Sequence, residues 1–132
     1  VFTFPAVFFP LETYETHKEA IYNCLLDNTE EIHVFRIGIE KTDTEFSKRE
    51  HLLEALLAVN FAGIPHIRLI GTGSDQMYLR IHRSEEENTI VFCVFHYRPE
   101  LWEGGTWKYL VEFRDRFVAK LKELEIPHRI NT

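Results

Sequence analysis

The chain has 132 residues, 45% of them hydrophobic and 27% charged, with a formal net charge of -6. That suits one compact α/β domain over 1–132 with a core of its own, and it excludes a disordered chain or an acidic tail. No apolar run approaches the ~20 residues that a bilayer demands, and no collagen period, heptad array or solenoid repeat is present, so no membrane partner is expected.

The first stretch, 1–9, is rich in Phe and Val. Pro5 removes a ladder donor, which predicts an edge strand or an extended arm. Residues 13–27 read as a helix: Thr16 and Glu19 have capping-box spacing, and Ile21, Cys24 and Leu25 share one face. Residues 31–40 form a strand that is apolar on both sides, which predicts a central place in a sheet. A second capping-box pair, Thr42 with Glu45, opens a predicted helix over 43–61. Phe46, Leu53, Leu56, Leu57 and Val59 or Phe61 make its apolar stripe, and Gly63 with Pro65 ends it.

Three strands are predicted next, at 66–71, 76–83 and 89–98, joined by Gly-Thr-Gly-Ser-Asp and Ser-Glu-Glu-Glu-Asn turns. A loop with Gly104 and Gly105 leads to Thr106, the cap of a last helix with Leu110, Phe113, Phe117, Leu121 and Leu124 inward. The tail Ile-Pro-His-Arg-Ile at 126–130 echoes Ile-Pro-His-Ile-Arg at 64–68, which reads as shared helix-to-strand punctuation. The element order β-α-β-α-β-β-β-α predicts an α+β, two-layer fold: a single mixed five-stranded sheet with helices packed on one face.

Hairpin chemistry sharpens the sheet. Pairing Ile70 with Gln76 sets Arg68 opposite Tyr78 and His66 opposite Arg80. Pairing Arg83 with Asn88 sets Ile81 opposite Ile90, Leu79 opposite Phe92 and Met77 opposite Val94. One face then gathers Ile67, Leu69, Met77, Leu79, Ile81, Ile90, Phe92 and Val94, a parity that a one-residue slip would scramble. The other face carries His66, Arg68, Tyr78, Arg80 and His82 with Thr89, Val91, Cys93, Phe95 and Tyr97. Basic groups among aromatic rings can hold an anion or clamp a partner chain, whereas a solvated strand face is the plain alternative.

Other signals are thinner. The overall acidity disfavours nucleic acid, although 64–83 is locally basic with Arg68, Arg80 and Arg83 against Asp75. His96, Tyr97 and Arg98 end a strand before the Gly-Gly loop, a common ligand position, and Trp102 is a candidate anchor or lid. The seven His lack metal spacing, Gly-Thr-Gly-Ser-Asp at 71–75 lacks a phosphate-loop pattern, and no nucleophile motif appears. No metal, cofactor or catalytic residue is therefore assigned. Cys24 and Cys93 form no framework, which predicts free thiols and a cytoplasmic setting. Met77 is the only Met, so a processed form or one domain of a longer chain is expected.

Two functions of different class follow. One is a non-catalytic interaction domain whose basic and aromatic sheet face binds a protein partner or a second copy as a homodimer. The other is a small enzyme or sensor for a nucleotide or phosphorylated small molecule, with a His as acid or base and an Arg on the anion.

Overall fold

The computed structural model describes residues 4–28, 34–39, 42–46, 48–59, 66–70, 78–84, 87–95 and 106–131. The elements in chain order are β1 (Ala6–Pro10), α1 (Leu11–Asp27), β2 (Val34–Ile39), β3 (Thr42–Phe46), α2 (Arg49–Leu57), β4 (His66–Ile70), β5 (Tyr78–Ser84), β6 (Thr89–Phe95), α3 (Thr106–Glu123) and β7 (Arg129–Ile130). The fold is thus α/β with helices on one side of a sheet, as the sequence predicts. The finer description needs correction: the sheet has seven strands rather than five, in the order β3-β2-β4-β5-β6-β1-β7.

The sheet is not mixed, because every neighbouring pair is antiparallel. Helical crossovers are present nevertheless. β3 and β4 run the same way but flank β2, and β6 and β7 run the same way but flank β1. An antiparallel strand inserted in each crossover removes any parallel neighbour.

The two added strands, β3 and β7, lay hidden in the sequence for different reasons. Thr42–Phe46 has the spacing of a helix cap, yet its Thr and Phe residues suit a pleated strand, and it pairs with β2 from Phe35↔Phe46 to Ile39↔Thr42. The predicted helix over 43–61 therefore shrinks to Arg49–Leu57 and buries Leu52 and Leu56. Strand β7 has two residues and no readable alternation. It is placed from both ends. Glu125, at φ 56°, closes α3 in a Schellman turn, with Ile126 N–H donating to Leu121 O (3.0 Å) and Glu125 N–H to Lys122 O (3.1 Å). The chain then returns to β1. There Asn131 Oδ1 accepts from Ala6 N–H (2.9 Å) and its Nδ2 donates to Phe4 O (2.8 Å), so one amide side chain extends the ladder.

Smaller corrections follow the same logic. β1 is an inner strand between β6 and β7, with Pro5 just ahead of it. β2 lies one strand in from the β3 edge rather than at the centre. α1 begins at Leu11, and Thr16 is no cap: its hydroxyl donates to Glu12 O (2.8 Å) next to a kink at His17. Leu124 lies beyond α3 and is 56% exposed.

The register of the β4–β5 hairpin is as predicted, with His66↔Arg80, Ile67↔Leu79 and Arg68↔Tyr78. The β5–β6 hairpin is shifted by two: Ser84 pairs with Thr89 and Ile81 with Phe92, leaving a four-residue loop in which Asn88 takes φ 51°. An even shift keeps every side chain on its own face. The core accordingly takes Val7, Phe9, Leu79, Ile81, Ile90, Phe92 and Val94 from the sheet and Ile21, Tyr22, Leu52, Leu110, Phe113 and Phe117 from the three helices. Phe92 is its hub, with ring contacts to Phe9 (5.3 Å), Phe117 (5.7 Å) and Tyr22 (5.8 Å). The sheet face opposite those helices is left to other work.

Candidate functional site

The pairing registers arrange that opposite face in rows across the strands. One row runs Arg36, Arg68, Tyr78, Phe95. The next runs Gly38, His66, Arg80, Cys93, Ala6. A third runs His82, Val91, Phe8, Arg129. Six of the sequence-predicted site residues, His66, Arg68, Tyr78, Arg80, His82 and Phe95, thus fall on one face in neighbouring rows. His96, Tyr97, Arg98 and Trp102 lie outside the described residues, as does the Gly-Gly loop.

Arg80 is exposed, and its guanidinium lies over the Phe95 ring at 5.0 Å. Tyr78 stacks on the same ring at 5.6 Å, and Phe4 meets it edge-on at 6.1 Å. Phe95 itself is 7% exposed. The ring attracts the guanidinium above it, and among the described residues no carboxylate pairs with Arg80. A pre-positioned cation with unused donors is the strongest chemical feature of the face. Its strand neighbours are His66 and Cys93, so Val91, which the sequence placed beside it, is displaced by the two-residue shift.

Next to Arg80 a shallow groove of about 440 Å³ runs over β6 and β1. Ala6, Val91 and Cys93 line it, with Phe4 and Phe8. His82, Ser84, Glu87 and Asn131 supply its polar atoms. Arg129 lies over the Phe8 ring at 4.6 Å and pairs with Glu87 at 3.3 Å.

Two titratable groups of the groove, His82 and Cys93, are shifted toward their neutral forms. Burial pushes the His82 imidazole below its ordinary value, and the Arg80 charge pushes it further. Its buried Nδ1 has no hydrogen-bond partner, so protonation there would strand a charged donor. Burial pushes the Cys93 thiol up, with Arg80 opposing that shift. His82 and Cys93 are diagonal neighbours in the sheet, but these shifts oppose the thiolate–imidazolium pair that a cysteine nucleophile requires. Among the described residues, no group of three or more His, Cys, Asp or Glu side chains is placed to hold a metal ion.

Sequence reasoning missed Arg36, Phe8, Arg129 and Asn131. Phe8 and Arg129 carried a signal, since Phe8 alternates with Val7 and Phe9 and its face needed a partner, but β1 read as an arm and 129–130 as a tail. Arg36 required the β2–β4 pairing, which no short turn announces.

No protein-family model, curated protein or solved structure matches this chain. No described helix is long and apolar enough to cross a membrane.

Proposed function

We propose that this protein is a non-catalytic interaction domain that binds a protein partner on the sheet face opposite its described helices. The observation that carries this is Arg80: exposed, held over the Phe95 ring, and without a carboxylate among the described residues. Arginine and aromatic side chains beside a small apolar groove are the residue types that dominate protein interfaces. Free thiols at Cys24 and Cys93 fit a reducing compartment such as the cytoplasm. The alternative, a nucleotide or phosphate-ester enzyme with a His as acid or base, gains less support. A neutral His82 adds no charge for a phosphate, and the Cys93 thiol is shifted away from its nucleophilic form.

A peptide-display selection against the intact chain tests the proposal, with Arg80→Ala as the counter-target. Selected peptides should bind Arg80→Ala about 30-fold more weakly, which corresponds to about 2 kcal/mol. Folding stability should fall by less than about 1 kcal/mol, since only an exposed cation–π contact is lost. Peptides that bind both proteins equally would refute the proposal. A dimer that dissociates in Arg80→Ala, read by light scattering, would instead identify the partner as a second copy.

A further inference from the structure

We infer that the outward face of α3 pairs antiparallel with the same helix of a second copy of this chain, with Tyr109 of each copy seated against Ala119 of the other and Glu112 paired with Arg116. This surface belongs to the helix layer and is independent of the sheet-face reading above. Leu110, Phe113, Phe117 and Leu121 turn one side of α3 into the core. On the other side Tyr109, Glu112, Arg116, Ala119 and Glu123 follow at intervals of three and four residues, and all five are exposed. Tyr109, at 62%, is the most exposed large apolar side chain among the described residues. A shallow recess of about 320 Å³ lies against the same helix, lined by Glu112, Asp115, Arg116 and Ala119, which leaves room for one aromatic ring. No carboxylate among the described residues pairs with Arg116.

The order of groups along the face selects the occupant. α3 spans Thr106–Glu123, about 27 Å. With a two-fold axis at Arg114, near its middle, two antiparallel copies overlap along almost the whole helix. Tyr109 then stands opposite Ala119 of the second copy and Glu112 opposite Arg116, and the symmetry makes each contact twice. A ring over a small residue lets the two backbones approach, and the aliphatic stem of Arg116 flanks that ring. Other arrangements set like charges together. Moving the axis toward the C-terminus until Arg116 meets Ala119 sets Glu112 against Glu123. A parallel pair sets Glu112 against Glu112 and Arg116 against Arg116, and it also aligns the two helix dipoles. In the antiparallel pair Asp115 comes near its own symmetry mate, but Arg114 already neutralises it at 2.8 Å. One helix from each chain makes a small, polar contact, so the dimer is weak and forms at high protein concentration.

Sedimentation equilibrium of the intact chain at concentrations up to about 1 mM tests this, with circular dichroism confirming that each variant is folded. The parent should self-associate. Glu112→Arg and Arg116→Glu should each weaken association at least about tenfold, because each sets like charges face to face. The double variant should recover it, since the charges then match in the opposite sense. An equal mixture of the two single variants should likewise form a heterodimer. Tyr109→Ser should weaken association, whereas Arg80→Ala should leave it unchanged. A chain that stays monomeric at every concentration overturns the inference and leaves the face to another protein's helix. Association that ignores the single reversals, or a mixture that fails to associate, overturns it as well. Loss of the dimer in Arg80→Ala would overturn it by moving the contact to the sheet face.

Discussion

Replacing Phe92 with Ala tests the face assignment on which every statement about the open surface depends. Phe92 has no exposed area and meets the rings of Phe9, Tyr22 and Phe117 within 6 Å, with Tyr14 at 6.4 Å. Truncating a buried Phe removes its transfer energy and leaves a cavity, a loss of about 3–5 kcal/mol. The aromatic geometry places Phe92 toward the upper end of that range, because each ring pair adds roughly 0.5–1.5 kcal/mol. For a domain of this size about 4 kcal/mol lowers Tm by roughly 15 °C. Differential scanning calorimetry reads this directly. A drop of only a few degrees would mean that Phe92 is not in the core. The register would then be wrong by one residue, with the helix-facing and open faces exchanged.

Further outcomes follow from single groups. The folded-state pKa of His82 is depressed, so the unfolded chain takes up its proton first as pH falls. Its contribution is intact above the ordinary value of about 6.5 and is lost as pH falls below that toward the folded value. His82→Phe should therefore lose less Tm than the parent between pH 7.5 and 5.5, and an equal loss would count against burial of the ring. Asn131→Ala should cost about 1–2 kcal/mol and speed amide exchange at Ala6, whose N–H donates to the Asn131 side chain. Unchanged exchange would show that the clamp is not formed. Glu125→Gly should raise stability by about 0.5–1 kcal/mol, because a non-glycine residue holds φ 56° there. A lower Tm would contradict the Schellman turn.

The most legible part of the molecule was the run from 66 to 95. Alternation of apolar residues and short turns fixed which side chains share a face, and the open-face set from His66 to Phe95 follows from that parity alone. The β5–β6 register escaped by two residues because a four-residue loop can be cut from Ser-Glu-Glu-Glu-Asn at 84–87 or at 85–88, and parity is blind to the even shift between them. Thr42–Phe46 was obscured by a real ambiguity: Thr-x-x-Glu caps helices, while Thr and Phe favour strands, and pairing with β2 decided the matter. β7 is invisible locally, since it exists through the turn at Glu125 and the amide of Asn131 rather than through a pattern of its own. The groove inherits that blindness. Its floor pairs β6 with β1, and Asn131 beside it follows β7, so no single segment announces it.

The central claim is that the face opposite the helices is where this protein meets its partner. Methyl NMR of the intact chain with an Arg80-dependent display peptide tests it most directly. The account predicts shifts at Ala6 and Val91 on the open face, with Leu52, Leu110 and Leu121 in the core unmoved. Shifts confined to Leu110, Val118 and Leu121 on α3, with Ala6 and Val91 silent, would contradict it.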